Sequence, residues 1–261
     1  MDKNQLLEKI KQKKELSGLS NILISEIIES YLAKNKLFIH ELNPSKLKVI
    51  IKAIRAELRL YAGRFQKPFK KRHELLKQNK VQELLKTHLS TEERLHYYSK
   101  LKRKINSLNP SSVLDLGCGI NPIALANKKI RYYAADINEE DLSFVREYFE
   151  KKKIKGKVFY YNLKNIKSDL PKADVCLIFK VFDIIETKGH KLAERIIKAV
   201  PCKYIIISFP TKTLSKAAMR HPQRGWIERL FNRLEYKFKS FKSENEIFYL
   251  AEKLAQKQIG A

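Results

Sequence analysis

The stretch Val113-Leu-Asp-Leu-Gly-Cys-Gly-Ile-Asn-Pro122 decides the fold. Its first four residues read as a short apolar strand. Gly117 and Gly119 then make a sharp turn, and they are two of only 8 glycines in the chain. Glycine permits a positive φ and leaves room for a ligand against the backbone. Asn121 is expected to cap a helix starting at Pro122, where the missing N–H costs nothing. The next apolar run, Ile130-Arg-Tyr-Tyr-Ala-Ala-Asp136, ends on a second acid. Strand, glycine turn, helix start and a closing acid form the pattern by which a parallel α/β sheet holds a nucleoside-containing cofactor.

What the loop lacks narrows the cofactor. A dinucleotide fingerprint continues to a third glycine, so that a pyrophosphate reaches the helix N-terminus. Asn-Pro stands there instead. S-adenosylmethionine has no pyrophosphate, so the departure favours it over NAD and points to methyl transfer. Asp136, with Ile137 beside it, is then expected at the ribose hydroxyls. Asp115 is expected to orient the loop and the methionine amino group. Asn162 and Leu163, after the third strand, are placed at adenine. The alternatives are a glycine turn without a cofactor and an ordinary loop asparagine at 162.

Outward from this loop, the chain divides near residue 108. After it, short apolar runs alternate with helical stretches. Strands are expected at 112–116, 130–135, 157–161, 173–179, 203–209, 234–241 and 246–252, and helices at 122–128, 139–152 and 188–199. Alternation implies a parallel sheet. The polar turn 242–246 closes the last two strands into a hairpin. The expected fold is α/β: a Rossmann-like seven-stranded methyltransferase sheet, parallel with a terminal antiparallel hairpin. Before residue 108 apolar residues recur at helical spacing over 3–16, 21–36, 44–64, 69–87 and 91–107. Ser20-Asn21, Asn43-Pro44 and Ser90-Thr91 read as helix starts, and Gly18, Gly63 and Pro68 as breaks. Two domains are expected, an all-α extension at 1–107 and the methyltransferase domain at 108–261.

Charge points to a polyanion. The chain carries 54 Lys+Arg against 28 Asp+Glu, a formal net charge of +26. Nucleic acid is the first candidate and an anionic membrane surface the second. Residues 1–107 hold 25 Lys+Arg and 11 Asp+Glu, so the excess is denser there. No apolar run approaches the ~20 residues that span a bilayer, and no signal peptide is seen. A cytoplasmic protein is expected. Cys118, Cys176 and Cys202 make no metal-ligand spacing and read as reduced residues in or beside strands; no metal is expected.

Several further segments resemble one family, the 16S ribosomal RNA methyltransferases that confer aminoglycoside resistance by methylating guanine N7 in the decoding region. They are His88-Leu-Ser-Thr-Glu-Glu-Arg-Leu95, Asp-Leu-Gly-Cys-Gly-Ile-Asn-Pro at 115–122, Leu177-Ile-Phe-Lys-Val-Phe-Asp-Ile-Ile-Glu186, Ser208-Phe-Pro-Thr-Lys-Thr-Leu214 and Asn245-Glu-Ile-Phe-Tyr249. Ile51-Lys-Ala-Ile-Arg-Ala-Glu-Leu-Arg59 is similar to a basic helix of that family's ribosome-binding extension. The resemblance implies that Arg94 contacts the methionine carboxylate and that Lys180 lies near the cofactor. It also implies 16S rRNA within the 30S subunit as the partner. After Ser-Phe-Pro-Thr the family usually continues into Gly-Gly-Arg; here Leu214-Ser-Lys-Ala-Ala-Met-Arg220 follows, which leaves the target base open.

Ligands of such sheets bind at the C-terminal strand ends. Lys180, Ser208 and Phe209 are therefore the candidates for catalysis, with Phe182 and Pro210 beside them. Core packing is the competing role for Phe182 and Phe209. Arg55, Arg59, Arg64, Lys67, Lys70, Lys71, Arg72, Lys102, Arg103, Lys104 and Arg224 are candidates for phosphate contact; taken singly, each is a solvated surface charge. His221, Arg224 and Trp226 form a basic-aromatic group. The expected function is that of a monomeric methyltransferase acting on a purine ring nitrogen of 16S rRNA. A methyltransferase of tRNA or another RNA site is the alternative. A non-catalytic ribosome-assembly or RNA-binding factor on the same fold is the second alternative.

Overall fold

Near-continuous burial along the central strands sets the architecture. The computed structural model describes residues 2–61, 72–186, 189–213 and 217–253. In chain order the elements are α1 (Lys3–Lys11), α2 (Asn21–Lys34), α3 (Pro44–Leu58), α4 (Arg72–Lys77), α5 (Val81–Lys86), α6 (Leu89–Glu93), α7 (Tyr98–Asn106), β1 (Ser112–Leu116), α8 (Pro122–Leu125), β2 (Arg131–Asp136), α9 (Glu139–Lys152), β3 (Gly156–Tyr160), β4 (Ala173–Phe179), α10 (Phe182–Ile185), α11 (Lys191–Ala199), β5 (Cys202–Pro210), α12 (Gly225–Arg233), β6 (Lys237–Lys242) and β7 (Glu246–Glu252). The strands form one sheet in the order β3-β2-β1-β4-β5-β7-β6. β1 to β5 run parallel; β7 is antiparallel to β5 and β6 to β7. The expected seven-stranded layout with its closing hairpin is what the chain forms.

The period of two splits each strand between two cores. Val113, Tyr132, Val175, Leu177, Ile206 and Phe248 face α4, α5, α7, α8 and α9. Leu114, Cys176, Ile178, Ile205, Ile207 and Tyr249 face α10, α11 and α12. With helices on both faces, the central strands are apolar on both sides, as parallel strands require.

The two halves of the helical region pack differently. Leu6, Ile10, Leu23, Ile24, Ile27, Ile50, Ile54 and Leu58 build a separate core among α1, α2 and α3. Leu76, Leu84, Leu85, Tyr98, Leu101 and Ile105 instead join the sheet's own core. The change of pattern at 107 is thus no break in packing. The α1–α3 unit docks on the loop after β2: Ser20 N donates to Ile137 O at 3.0 Å and Glu139 N to Gly18 O at 2.9 Å.

Local signals set most element ends. Ser20 caps α2 by accepting from Ile22 N, and Asn43 caps α3 ahead of Pro44. Asn138 caps α9, whose first turn is acidic and whose last turn holds Lys151 and Lys152, in keeping with the helix dipole. The stretch expected as one helix over 69–87 breaks at Asn79 (φ 58), giving α4 and α5. Ser90-Thr91 starts nothing, because α6 begins at Leu89 after His88. A 3-10 turn, Leu95–Tyr97, interrupts 91–107. Gly63 and Pro68 lie outside the described residues.

Candidate cofactor cleft

The glycine turn after β1 stands where the strand order reverses, between β1 and β4. Open α/β sheets bind ligands at that point. A cleft partly open to solvent lies across the C-terminal ends of β1, β2, β3 and β4. Gly117 and Gly119 (φ 69 and 47) form its floor. A Cβ on Gly117 would stand 2.4 Å from Val181 Cγ2, and one on Gly119 would stand 3.1 Å from His88 Nε2. Both positions therefore demand glycine for conformation, and Gly117 for space as well.

Asp136 ends β2 and ties the loop down. Its Oδ2 accepts from Gly119 N at 2.8 Å, and its Oδ1 accepts from Ile137 N at 2.7 Å and Asn138 N at 2.9 Å. Burial, with the Asp141 charge adding, pushes its pKa up to about 6. Asp115 is buried in β1 and accepts from Tyr132 Oη at 2.7 Å and Asn121 Nδ2 at 2.9 Å. Burial raises it to about 6 too, with those two hydrogen bonds opposing. Among the described residues neither carboxylate makes a salt bridge with a cationic side chain. Asn121 differs from expectation: it makes no side-chain cap. Its amide instead bridges Asp115 to Arg94 and Tyr98, whose donors meet Asn121 Oδ1 at 3.2 and 2.8 Å.

Arg94, expected at the methionine carboxylate, lines the cleft from a buried position. Its Nε and Nη2 grip both oxygens of Glu246 at 3.0 and 2.8 Å. Further donors reach Asn121, Tyr98 and Ser90. Its side chain lines the cleft as a spent cation. Lys180 lines it as well, in a left-handed backbone (φ 57), with Nζ paired to Glu93 and 4.0 Å from Glu246. His88, pushed down to about 4 by burial, is neutral beside Gly119.

Asn162, Leu163 and Ile137 all line the cleft as expected. Two candidates do not. Ser208 is buried and donates to Glu246, while accepting from Lys180 N at 3.2 Å. Phe209 is buried against Phe182, Trp226 and Tyr249. Both are core residues: β5 buries alternate residues against α12, and Ser208 points to β7 rather than to the opening. Trp226 stacks on His190 at 4.0 Å.

The basic candidates separate as sharply. Lys9, Lys13, Lys48, Lys52, Arg55 and Arg59 line a shallow groove between α1 and α3. Within it Arg55 donates to Lys9 O and Ile10 O, and Arg59 pairs with Glu15 at 3.1 Å. Lys102 and Arg103 are exposed on α7, and Lys104 Nζ lies 4.4 Å over the Phe241 ring. Arg72 is corrected: it is wholly buried, with Asp141 at 2.5 Å and Thr87 beside it. Arg224 is corrected too, since it pairs with Asp183 at 2.9 Å and bonds His221 O and Pro222 O. Arg64, Lys67, Lys70, Lys71 and Leu214 lie outside the described residues.

Residue-type reasoning passed over His88, Thr91, Glu93, Val181, Glu246 and Tyr61. Five of these stand inside quoted motifs, all but Tyr61, and in those motifs Arg94 and Lys180 drew the notice. Glu246 carried a usable signal: a lone acid opening a strand that is apolar from Ile247 to Ala251.

A seven-stranded sheet of this order, with a glycine loop after β1 and an acid ending β2, defines the Rossmann-like methyltransferase class. The chain belongs to the family described as ribosomal RNA methyltransferase (FmrO), whose family model matches residues 75–250. It is 29% identical over 189 residues to the 16S rRNA (guanine(1405)-N(7))-methyltransferase of Serratia marcescens, covering 69% of this chain and 74% of that one. The enzyme of the same description from Frankia casuarinae is 25% identical over 142 residues, 52% of this chain. The chain spans about half the length of that relative, 50% of it. The solved structure of the 16S rRNA methyltransferase RmtF in complex with S-adenosyl-L-homocysteine superposes with a TM-score of 0.75 over 97% of this chain and 100% of that one, at 20% identity; this likeness shows the fold. No helix among the described residues is long and apolar enough to cross a membrane.

Proposed function

We propose that the chain transfers a methyl group from S-adenosylmethionine to a guanine N7 of 16S rRNA in the 30S subunit, as a cytoplasmic monomer. Family membership and the names of the relatives support the reaction class, and the complex of RmtF with S-adenosyl-L-homocysteine supports the cofactor. The observation that carries the reading is the charge of the cleft. In a chain of net charge +26, the cleft presents two carboxylates, Asp115 and Asp136, that make no salt bridge with a cation among the described residues. The cations that line it, Arg94 and Lys180, are already neutralised by Glu246 and Glu93. Such a cleft suits a sulfonium and an ammonium, and it repels a dinucleotide's phosphates.

The residues fit that ligand. The Gly117–Gly119 turn leaves the floor clear; Asp136 would hold the ribose, Asn162 with Leu163 the adenine and Asp115 the methionine amino group, while Arg94, its fork on Glu246, would wall the carboxylate end. When bound, S-adenosylmethionine supplies an electrophilic methyl group. Guanine N7 offers a lone pair, so the chain need not remove a proton before attack. Its work is to hold base and methyl in line and to exclude water. The groove of Lys9, Lys13, Lys48 and Lys52 on α1 and α3, with Lys102 and Arg103 on α7, would meet phosphates and fix register.

Incubation with methyl-labelled cofactor and, separately, 30S subunits, free 16S rRNA and tRNA, followed by nucleoside mass spectrometry, tests the reading. 7-Methylguanosine from the 30S sample is the expected product. Label found only in tRNA would overturn the ribosomal assignment. Absence of label, with no S-adenosylhomocysteine binding by calorimetry, would overturn the cofactor assignment.

A further inference from the structure

The nucleoside end of the cleft is not built by the sheet alone. Asn162 follows β3, two strands from the glycine turn in the sheet order, and lines the cleft beside Leu163 and Ile137. Both ends of its amide are held. Its Oδ1 accepts from Lys164 N at 3.1 Å, and its Nδ2 donates to Glu26 Oε2 at 3.0 Å. Glu26 lies on α2, 136 residues away in sequence. The same oxygen accepts from Tyr160 Oη at 3.2 Å.

A carboxylate only accepts and a backbone N–H only donates, so the two partners allow a single orientation of the amide. An amide carries two N–H donors and two oxygen lone pairs, so beside Glu26 and Lys164 it has capacity for one more partner of each kind, and Tyr160 Oη also interacts with it. Side by side, a donor and an acceptor match adenine's N6 amino group and a neighbouring ring nitrogen, the pairing by which Asn reads adenine elsewhere. A loop asparagine free to rotate would pay for its ordering on binding.

We infer that Glu26 is a positioning residue of the cofactor site: from the α1–α3 unit it fixes the Asn162 amide for adenine. This rests on the S-adenosylmethionine reading above. Its position shows why α2 is built as it is. Leu23, Ile24, Ile27 and Ile28 are buried in the unit's own core, and Glu26 is carried at their edge toward the loop after β3. The unit is anchored nearby through Ser20 N to Ile137 O and the Leu19–Asn138 bridge, so the distance from α2 to the loop is fixed.

Calorimetric titration of the full chain with S-adenosylhomocysteine, and with 5′-methylthioadenosine as the nucleoside fragment, tests the inference. Glu26→Ala is expected to weaken both ligands by ~5–10-fold, the cost of ordering a released Asn162 side chain on binding. Glu26→Gln keeps an acceptor for Asn162 and is expected to restore binding to within about twofold. Tyr160→Phe removes the other bond to Glu26 and the phenol's own contact with the amide but leaves the Glu26–Asn162 bond, so affinity is expected to stay within about twofold of the unsubstituted chain. In methyl-transfer assays Glu26→Ala is expected to raise the cofactor KM with kcat unchanged. Unchanged affinity in Glu26→Ala would overturn the inference while leaving the cofactor reading intact. Equal losses in Glu26→Ala and Tyr160→Phe would overturn it as well, by reducing Glu26 to a docking contact. An unsubstituted chain that binds neither ligand would remove the cofactor reading and the inference together.

Discussion

Residues 2–61 and 72–106 read alike as basic, amphipathic helices, yet only the second takes cations inside. The first stretch packs an apolar core between its helices, buries no charged side chain, and turns Lys9, Lys13, Lys48 and Lys52 outward. The second packs into the sheet and takes Arg72 and Arg94 inside with Asp141 and Glu246. An exposed cation contributes to a field that a polyanion feels; a buried one is consumed by its partner. Nominal charge counts both equally, and only the exposed set is available to RNA.

The sharpest break of this comparison is Arg72→Ala. Removing one partner of a buried pair strands the other, at a cost of ~3–5 kcal/mol. Urea denaturation should show that loss, whereas Lys48→Gln with Lys52→Gln should stay within about 0.5 kcal/mol. Equal effects of the two would dissolve the distinction. Next in size is Gly117→Ala, which sets a Cβ 2.4 Å from Val181 Cγ2 at a positive φ. A left-handed alanine alone costs ~1–2 kcal/mol, so S-adenosylhomocysteine binding should weaken by at least about tenfold in calorimetry. The converse test concerns the exposed set. Replacing Lys9, Lys13, Lys48 and Lys52 by Gln should flatten the log–log salt dependence of rRNA binding by ~3, with the melting temperature kept. A slope that stays put would move the RNA-binding face elsewhere.

The smallest expected effect is one of pH. Asp115 and Asp136 rise from an ordinary 3.8 to about 6 in the fold, chiefly by burial. Each binds its proton more tightly folded than unfolded. The stability this contributes is complete below about 3.8 and is lost as pH rises through about 6. Cofactor binding should run the other way, because the ligand's ammonium and ribose hydroxyls select the ionised acids. Affinity for S-adenosylhomocysteine is expected to fall ~3–10-fold between pH 7.5 and 5. A flat profile would mean that neither acid meets the ligand.

Much of the sheet was legible because strand, turn and helix signals agree with one another locally. Val113–Pro122 and Asp136 carry their meaning within a few residues. What escaped depends on partners far apart in sequence. Arg94 looks like a ligand-facing cation until Glu246, 152 residues later, is seen to hold it. Ser208 and Phe209 stand at the end of a strand, but their direction follows from β7 and α12 packing beside them. Asn121 has a good capping position and finds a stronger partner in buried Asp115. Glu26 had no signal, since nothing near it in the chain names Asn162.

The central claim is methyl transfer to a guanine N7 of 16S rRNA from a cofactor held over the Gly117–Gly119 turn. N7-methylguanosine in RNA is cleaved by borohydride followed by aniline, and primer extension locates the break. The expected result is a single new stop in 16S rRNA from 30S subunits treated with the chain and S-adenosylmethionine, weakened with Gly117→Ala at sub-saturating cofactor. Methyl incorporation into that RNA without any new stop would contradict it.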